Sequence, residues 1–205
     1  MSHFLEISGL LETIQNIQIR RTCHILKADD RFWESPGSCV KHQAYSGGLA
    51  DHTYQVMQLA IAAALAPPIR EYVNFDILIA STFAHDFGKI WDYQQIQNRK
   101  NVDPSHGYTR HRWTVRHLVR SYHEWMKAAE MSLLEDDLAE EVSHVILAHH
   151  GRNEWGSPVE PLTLEAMLLH QADLLSARFV EKIDQTPFRQ VNRIDWSKLE
   201  PIVDK

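Results

Sequence analysis

Apolar residues recur at intervals of three and four along most of this chain, which is the spacing of an amphipathic helix. A first helix is predicted by Leu5, Leu10, Leu11, Ile14 and Ile17. Further helices are predicted from residue 49 to the Pro67-Pro68 pair and at residues 77–87, 108–129, 137–149 and 163–183. Because strand signals are weak, the predicted fold is an all-α bundle.

The length suits one folded domain. A chain of 205 residues can bury a sizeable core, and we find no internal repeat or domain linker. We expect the domain to cover residues 1–183, with its motif-bearing core at 42–178. Residues 184–205 are polar and poorly periodic, which predicts a C-terminal tail.

Charge and cysteine content limit the choice of partners. A net charge of −6 disfavours a generic grip on long nucleic acid, although a local basic stripe remains possible. Cys23 and Cys39 lack the spacing of paired ligands, so we expect reduced thiols in a cytoplasmic protein. No signal peptide is evident, and the longest apolar stretch falls short of the ~20 residues of a membrane span. We expect no membrane partner, and a homo-oligomer is left open.

Histidine and aspartate residues at predicted helix ends are candidate metal ligands. His85-Asp86 precede Gly88 at the end of one helix, and His149-His150 precede Gly151 at the end of another. In helical bundles, metal sites are built from such side chains on facing helices. The full candidate set is His52, His85, Asp86, His111, His149, His150 and Asp173. Mixed imidazole and carboxylate ligands favour Mn, Fe, Co, Ni or Zn over Ca, and they make Mg less expected.

The geometry of the His85-Asp86 pair leaves two arrangements open. Adjacent helical residues point roughly 100° apart, so both can reach one ion only from the helix end. Alternatively, Asp86 bridges two ions while His85 binds one. The second doublet, His149-His150, has the same geometry and favours a second ion.

The other histidines divide into less informative groups. We expect structural or surface roles for His3, His24, His123 and His144. His106 and His117 are ambiguous, and a role without metal is preferred for both. His170 precedes Asp173 by one helical turn, so it either supports Asp173 or lines the pocket. Asp173 itself lies in a mostly apolar stretch, where a buried acid needs a partner such as a metal.

Cationic residues near these candidates point to an anionic substrate. Lys89 follows Asp86 by three positions, so its ammonium group can lie near the site. Arg112, Arg116 and Arg120 repeat at four-residue spacing and share one helix face. A solvated surface is the more expected role for this face, and the alternative is that Arg112 holds a phosphate.

Taken in order, these residues resemble the HD-domain family of metal-dependent phosphohydrolases. Within it, the chain is most similar to the HD domain of YhaM-type 3′→5′ exoribonucleases and to TraI-type domains. The similar segments, which span roughly residues 42 to 178, are His42 to Thr53, Ala84 to Ile90, His149 to Gly151, Trp155 to Pro158, Glu165-Ala166 and Leu169 to Asp173.

The resemblance implies roles for the candidate residues. A first divalent ion would be held by His52, His85, Asp86 and Asp173, and a second by His111, His149 and His150 with Asp86 shared. His106 and His117 are rivals of His111 in the same segment. As a hypothesis for the mechanism, separate from the resemblance, Asp86, Lys89 and His42 are the catalytic residues, and Lys89, Arg112 and His42 contact substrate. His42 or a non-ligating member of the 149/150 doublet would protonate the leaving oxygen.

Two departures from the family pattern bear on the substrate. The segment before residue 42 is too short for the nucleic-acid-binding OB-fold that precedes the HD domain in YhaM-type enzymes. No Gly-Tyr-Pro signature is present, which disfavours cyclic-di-GMP hydrolysis. We therefore expect a phosphohydrolase acting on a small phosphorylated substrate, a nucleotide mono-, di- or triphosphate. The alternatives are a 3′→5′ exonuclease on short single strands of RNA or DNA, and a non-catalytic metal-binding or interaction domain.

Overall fold

Helices form the architecture throughout the described part of the chain. The computed structural model describes residues 3–38, 43–93 and 107–185, with the side chains of the last helix described up to residue 178. The helices are α1 (Phe4–Glu12), α2 (Ile17–Lys27), α3 (Asp30–Glu34), α4 (Gly48–Ala64), α5 (Phe75–Ala84), α6 (Lys89–Asp92), α7 (Arg110–Thr114), α8 (Arg116–Ser132), α9 (Asp136–Ala148) and α10 (Leu164–Gln185). Within these residues there is no β-strand beyond one isolated bridge between Tyr93 and Tyr108. The all-α prediction is confirmed.

Helix α5 lies at the centre of the bundle. Every residue from Ile77 to Ala84 is buried, and the helix packs against α1, α2, α4, α9 and α10. Such an evenly apolar segment is typical of a helix surrounded by others. The residues that follow its C-terminal end therefore also lie inside the protein, and these are His85 and Asp86.

The start of α5 is anchored on several sides. The Asn74 side chain accepts hydrogen bonds from the backbone amides of Asp76 and Ile77, which caps the helix. The backbone amide of Asn74 donates to Glu165 at 2.7 Å, which ties this end to α10. Because α5 is held at its first turn and buried along its length, the position of its last turn is set by the fold.

Two predicted helices are each divided in the structure, so these boundary predictions were wrong. The first ends at Glu12, and a new helix starts at Ile17 because the Asn16 side chain accepts from the amides of Gln18 and Ile19. The second is broken at Arg116, whose φ of 67° lies in the left-handed region. The break turns α7 away from the line of α8.

Several expectations concern residues outside the described ranges. Of the predicted tail at 184–205, residues 184 and 185 belong to α10 and the rest lies outside the described ranges. Cys39 and His42 lie in the undescribed segment 39–42, and His106 lies in the undescribed segment 94–106. These expectations stay predictions. Among the described residues, none of the helices combines the length and apolarity that crossing a membrane requires.

Candidate metal centre

Two clusters of potential ligands meet at the inner end of α5. In each cluster, the ligand atoms all lie within 4.8 Å of one another. The first cluster is His52, His85, Asp86 and Asp173, and the second is His117, His149 and His150. The structure thus brings together every predicted ligand except His111 and adds His117 instead. The contributing elements are α4, α8, α10 and the ends of α5 and α9.

Asp86 lies between the two clusters. Its Oδ2 atom is 3.2 Å from Nε2 of His52 and 3.4 Å from Nε2 of His85. Its Oδ1 atom is 3.5 Å from Nε2 of His117 and 3.8 Å from Nε2 of His149. Asp173 completes the first cluster, with Oδ1 3.0 Å from Nε2 of His52. One carboxylate therefore presents a different oxygen to each cluster, which is the arrangement that bridging of two ions requires.

The histidines of both clusters are oriented by hydrogen bonds at Nδ1. In His85, His149 and His150, Nδ1 donates to the carbonyl oxygens of Thr82, Ile146 and Trp155, at 2.7, 2.6 and 3.0 Å respectively. A carbonyl oxygen can only accept, so Nδ1 carries the hydrogen in each ring. Nε2 is then left with a lone pair that points into the cluster, as metal-binding histidines require.

In His52, too, Nδ1 carries the hydrogen, but its partner is a side-chain hydroxyl and not a backbone carbonyl. The Ser176 hydroxyl donates to Gln55 at 2.9 Å, so its oxygen is left to accept from Nδ1 of His52 at 3.1 Å. Nε2 of His52 therefore also lacks a hydrogen and faces Asp86 and Asp173. This chain of contacts joins α4 to α10 behind the first cluster.

Unsatisfied buried atoms coincide with the two clusters. In the part of the chain that the structure describes, Nε2 of His52, His85 and His149 and Oδ1 of Asp86 are buried without a hydrogen-bond partner. Buried polar atoms are seldom left in this state, because each one costs free energy. Divalent cations in the two clusters would satisfy all four atoms, since each has a lone pair directed at its own cluster. The donor set therefore fits a transition-metal site.

Asp92 supports the second cluster and was missed in the sequence. Its fully buried carboxylate accepts three hydrogen bonds. The donors are Nδ1 of His111 at 2.8 Å, Nδ1 of His117 at 3.2 Å and Nη1 of Arg112 at 3.2 Å. The contact to His117 directs Nε2 of that ring toward His150 and Asp86. Its only sequence signal is an acid set between aromatic residues, Trp91 and Tyr93.

The same network explains the position of His111. Its Nδ1 donates to Asp92, and its Nε2 accepts from Nε of Arg120 at 3.2 Å. Both ring nitrogens are therefore occupied by protein groups, and the ring lies outside the two clusters. His170 likewise supports the site, because its Nδ1 donates at 2.8 Å to the carbonyl oxygen of His149.

A glycine allows α8 to reach the centre. A Cβ atom placed on Gly88 would lie 2.3 Å from the carbonyl oxygen of His117. The Gly88 amide also donates to the Ser121 hydroxyl at 2.8 Å. The close approach of these two backbones brings His117 next to Asp86.

Comparison with known proteins agrees with this geometry. The HD domain family model matches residues 49–178, which is more than half of the chain. The chain belongs to the HD domain family. That range contains every member of the two ligand clusters.

The HD domain also has similar curated relatives. The chain is 32% identical over 174 residues to the 3′-5′ exoribonuclease YhaM of Listeria welshimeri, and the match covers 84% of this chain and 52% of that protein. The chain is 31% identical over 174 residues to the 3′-5′ exoribonuclease YhaM of Bacillus subtilis, and this match also covers 84% of the chain and 52% of that protein. The chain thus spans about half the length of these curated relatives. Among solved structures, none matches it significantly.

Burial and neighbouring charges set the protonation of the candidate ligands in this HD domain. Burial, together with the neighbouring His150 and His85, holds the pKa of His149 well below its usual value. Burial and the neighbouring His117 lower the pKa of His150 to about 4. Both rings are therefore neutral near pH 7, which is the form that binds metal.

The carboxylates of the site are ionised. Burial favours the neutral form of Asp86, but the neighbouring Lys89, His85 and His52 outweigh it and hold the pKa well below the usual value. Burial is likewise outweighed at Asp173, where His52 and His85 lower the pKa. The site thus presents two negative charges to a cation.

Lys89 and Arg112 line the cavity that opens onto the HD-domain ligands. The cavity has a volume of about 340 Å³, and His52, Asp86, His117, His150 and Asp173 also line it. The Lys89 ammonium pairs with Oδ2 of Asp86 at 2.5 Å, and Arg112 is held by Asp92. The other two arginines of the predicted stripe point elsewhere: Arg120 contacts His111 and Glu124, and Arg116 lies against Gly156.

Proposed function

We propose that this HD domain is a metal-dependent phosphohydrolase that cleaves a phosphoester bond of a nucleotide. The observation that carries the proposal is the placement of Asp86 between two ligand clusters at the base of a cavity that Lys89 and Arg112 also line. Membership of the HD domain family and similarity to exoribonucleases support hydrolysis of a phosphoester.

Two divalent ions fit the ligands. His52, His85, Asp86 and Asp173 would hold one, and His117, His149 and His150 would hold the other, with Asp86 shared. His117 replaces the predicted His111 in this assignment because its Nε2 faces the cluster. The number of imidazoles favours Mn, Fe, Co, Ni or Zn over Mg. Such ions supply activated water and neutralise charge on a phosphoryl group.

The protein's own residues position the substrate. Among the residues that the structure describes, Lys89 and Arg112 are the lysine and arginine that line the cavity, so we assign them to the non-bridging phosphoryl oxygens. The Asp92 carboxylate holds the Arg112 guanidinium in place, which lowers the entropy that is lost when a phosphate binds. His42, which the sequence suggests as the acid for the leaving oxygen, lies outside the described residues and keeps that role as a prediction.

A 3′→5′ exonuclease acting on short single strands is the second candidate. It is favoured by the similarity to proteins named 3′-5′ exoribonuclease YhaM over 84% of this chain. The net charge of −6 favours the smaller substrate instead. Both candidates use the same metal centre and differ only in what lies beyond the phosphate.

A reconstitution screen tests the proposal. The purified protein, stripped of metal and supplied with Mn, Fe, Co, Ni, Zn or Mg in turn, is assayed on mononucleotides, nucleoside triphosphates and short oligonucleotides. We expect turnover with a transition metal, and we expect Asp86→Ala to lose both metal and turnover. Asp137→Asn, an exposed acid on α9, is the matched control and should keep both. Metal binding without turnover on any phosphoester would instead support a non-catalytic domain.

A further inference from the structure

A second groove adjoins the metal cavity. It has a volume of about 300 Å³ and shares Arg112, His117 and His150 with that cavity. It continues past these residues between α7, the start of α8 and the loop at Trp155. A substrate whose phosphate lies over the candidate ligands can therefore extend into this groove past the shared residues.

Two exposed indole rings line the groove. Trp113 of α7 is 71% exposed and Trp155 is 46% exposed, although large aromatic side chains are usually covered. Neighbouring side chains hold both rings. Trp113 packs edge-on against Tyr108 at 5.6 Å between ring centroids, and the Arg152 guanidinium lies 5.1 Å from the centroid of Trp155. Held aromatic rings with accessible surfaces are the platforms on which unpaired nucleobases stack.

Positive charge lies beside these rings. Arg112 and Arg116 both line the groove, and Arg152 covers part of Trp155. The protein as a whole carries a charge of −6, so this concentration of arginine is local. Arginine next to aromatic rings is the combination that binds the backbone and bases of single strands.

Two residues at the groove have a positive φ angle. Arg116 has a φ of 67°, a conformation that side chains with a Cβ rarely adopt, and Gly156 has a φ of 93°. A Cβ atom on Gly156 would lie 3.3 Å from Nη1 of Arg116, so the guanidinium is packed against this glycine. Strained residues of this kind persist where the surrounding structure holds them, and they cluster at ligand sites.

We infer that Trp113, Trp155 and Arg116 form a nucleoside subsite that binds the nucleotide next to the phosphate under attack in a single-stranded polynucleotide. The base would stack on an indole ring, and Arg116 would contact the adjoining phosphate. This inference rests on the proposed hydrolysis at the metal centre and favours its second candidate, because a nucleoside monophosphate, whose one phosphate lies over the candidate ligands, has no adjoining phosphate for Arg116.

Kinetics on two substrates test the subsite. With the metal-loaded protein, Trp113→Ala and Trp155→Ala should each raise the KM for a single-stranded pentanucleotide by about 10-fold. They should leave kcat nearly unchanged, and they should have little effect on the KM for an abasic pentamer, which has the same phosphates and no bases to stack. Tyr72→Ala is the matched control, since Tyr72 is 75% exposed and lies outside the groove. An unchanged pentanucleotide KM, or equal losses on both substrates, would overturn the subsite.

Binding is measured separately, so that failure of the proposed hydrolysis is distinguishable. Fluorescence anisotropy with labelled RNA and DNA pentanucleotides reports affinity even if no metal supports turnover. We expect single strands to bind and a duplex of the same sequence to bind at least about 10-fold more weakly, because paired bases cannot stack on the indoles. Arg116→Gln should reduce the dependence of affinity on salt, because one phosphate contact is lost. Equal binding of duplex and single strand would contradict base stacking, whatever the activity.

Discussion

Oδ2 of Asp92 lies 3.2 Å from Nδ1 of His117, and the carboxylate is fully buried. Nδ1 also lies 3.3 Å from Nη1 of Arg112, but the shorter contact to the charged carboxylate, which can only accept, places the hydrogen of the ring on Nδ1 and leaves Nε2 for the second cluster. The same carboxylate holds Arg112 at the cavity wall. One buried acid thus connects a candidate metal ligand to a candidate substrate contact.

Replacing Asp92 by Asn should weaken metal binding about 10- to 100-fold, because supporting carboxylates of this kind orient metal-bound histidines. Titration calorimetry with the metal that supports turnover measures the change. Asp137→Asn, which neutralises an exposed acid, should leave the affinity unchanged. If Asp92→Asn bound both ions with wild-type affinity, Asp92 would have no role in orienting His117.

His117→Ala should remove one bound ion per chain, whereas His111→Ala should keep both. The two rings are a matched pair, because each donates Nδ1 to Asp92, but only His117 directs Nε2 into a cluster. Metal analysis after dialysis gives the stoichiometry of each variant. The reverse pattern, with loss of an ion only in His111→Ala, would restore the ligand set implied by the family resemblance.

Gly88→Ala should destabilise the protein by about 1–3 kcal/mol, because the added methyl group overlaps the backbone of α8. The φ of Gly88 is −62°, so the cost comes from packing and not from backbone conformation. Gly9→Ala is the control, since nothing lies within 4 Å of its Cβ position, and it should stabilise α1 by up to about 1 kcal/mol. Urea denaturation measures both. A Gly88→Ala protein of wild-type stability would show that α8 can shift without cost.

Lys89→Ala should lower kcat about 100-fold while metal content stays normal, because the ammonium group is assigned to the phosphoryl oxygens and not to the ions. Removal of its positive charge from beside Asp86 also leaves that carboxylate freer to bind a cation. Lys127→Ala, at an exposed position of α8, should change neither quantity. Loss of metal in Lys89→Ala would instead give Lys89 a structural role.

The metal-free protein should lose stability as the pH falls from 6.5 to about 4, the window set by His150. An unfolded histidine takes up its proton near pH 6.5, whereas burial delays protonation of folded His150 to about 4 and of His149 to well below 6.5. The unfolded state then binds more protons in this window, so acid favours it. The pKa of His52 is raised, because Asp173 and Asp86 outweigh burial, so its stabilising contribution is lost only as the pH rises above 6.5 and does not change the slope in this window.

Urea midpoints in the presence of a chelator, measured at several pH values, give this dependence. His150→Gln should flatten it, and His123→Gln, at an exposed position, should leave it as in the wild type. A midpoint that is constant down to pH 4.5 in the wild-type protein would contradict the burial of neutral imidazoles.

Local sequence patterns predicted most helices because apolar periodicity depends only on residues within a few turns. They did not predict the break at Arg116, since nothing in Arg-His-Arg-Trp-Thr-Val-Arg marks a residue with positive φ. Asp92 was overlooked for a similar reason: an acid beside two aromatic residues reveals its role only when α6 is packed against α8.

The sequence by itself determined the all-α class, the family resemblance and the pair His85-Asp86 ahead of Gly88, because each of these depends on short segments of the chain. Tertiary structure alone selected His117 over His111 and divided the two oxygens of Asp86 between the clusters. That choice depends on how closely α8 approaches Gly88, which is a distance between segments that lie about thirty residues apart in the chain. Spacing along the chain carries no information about such a distance until the helices are packed.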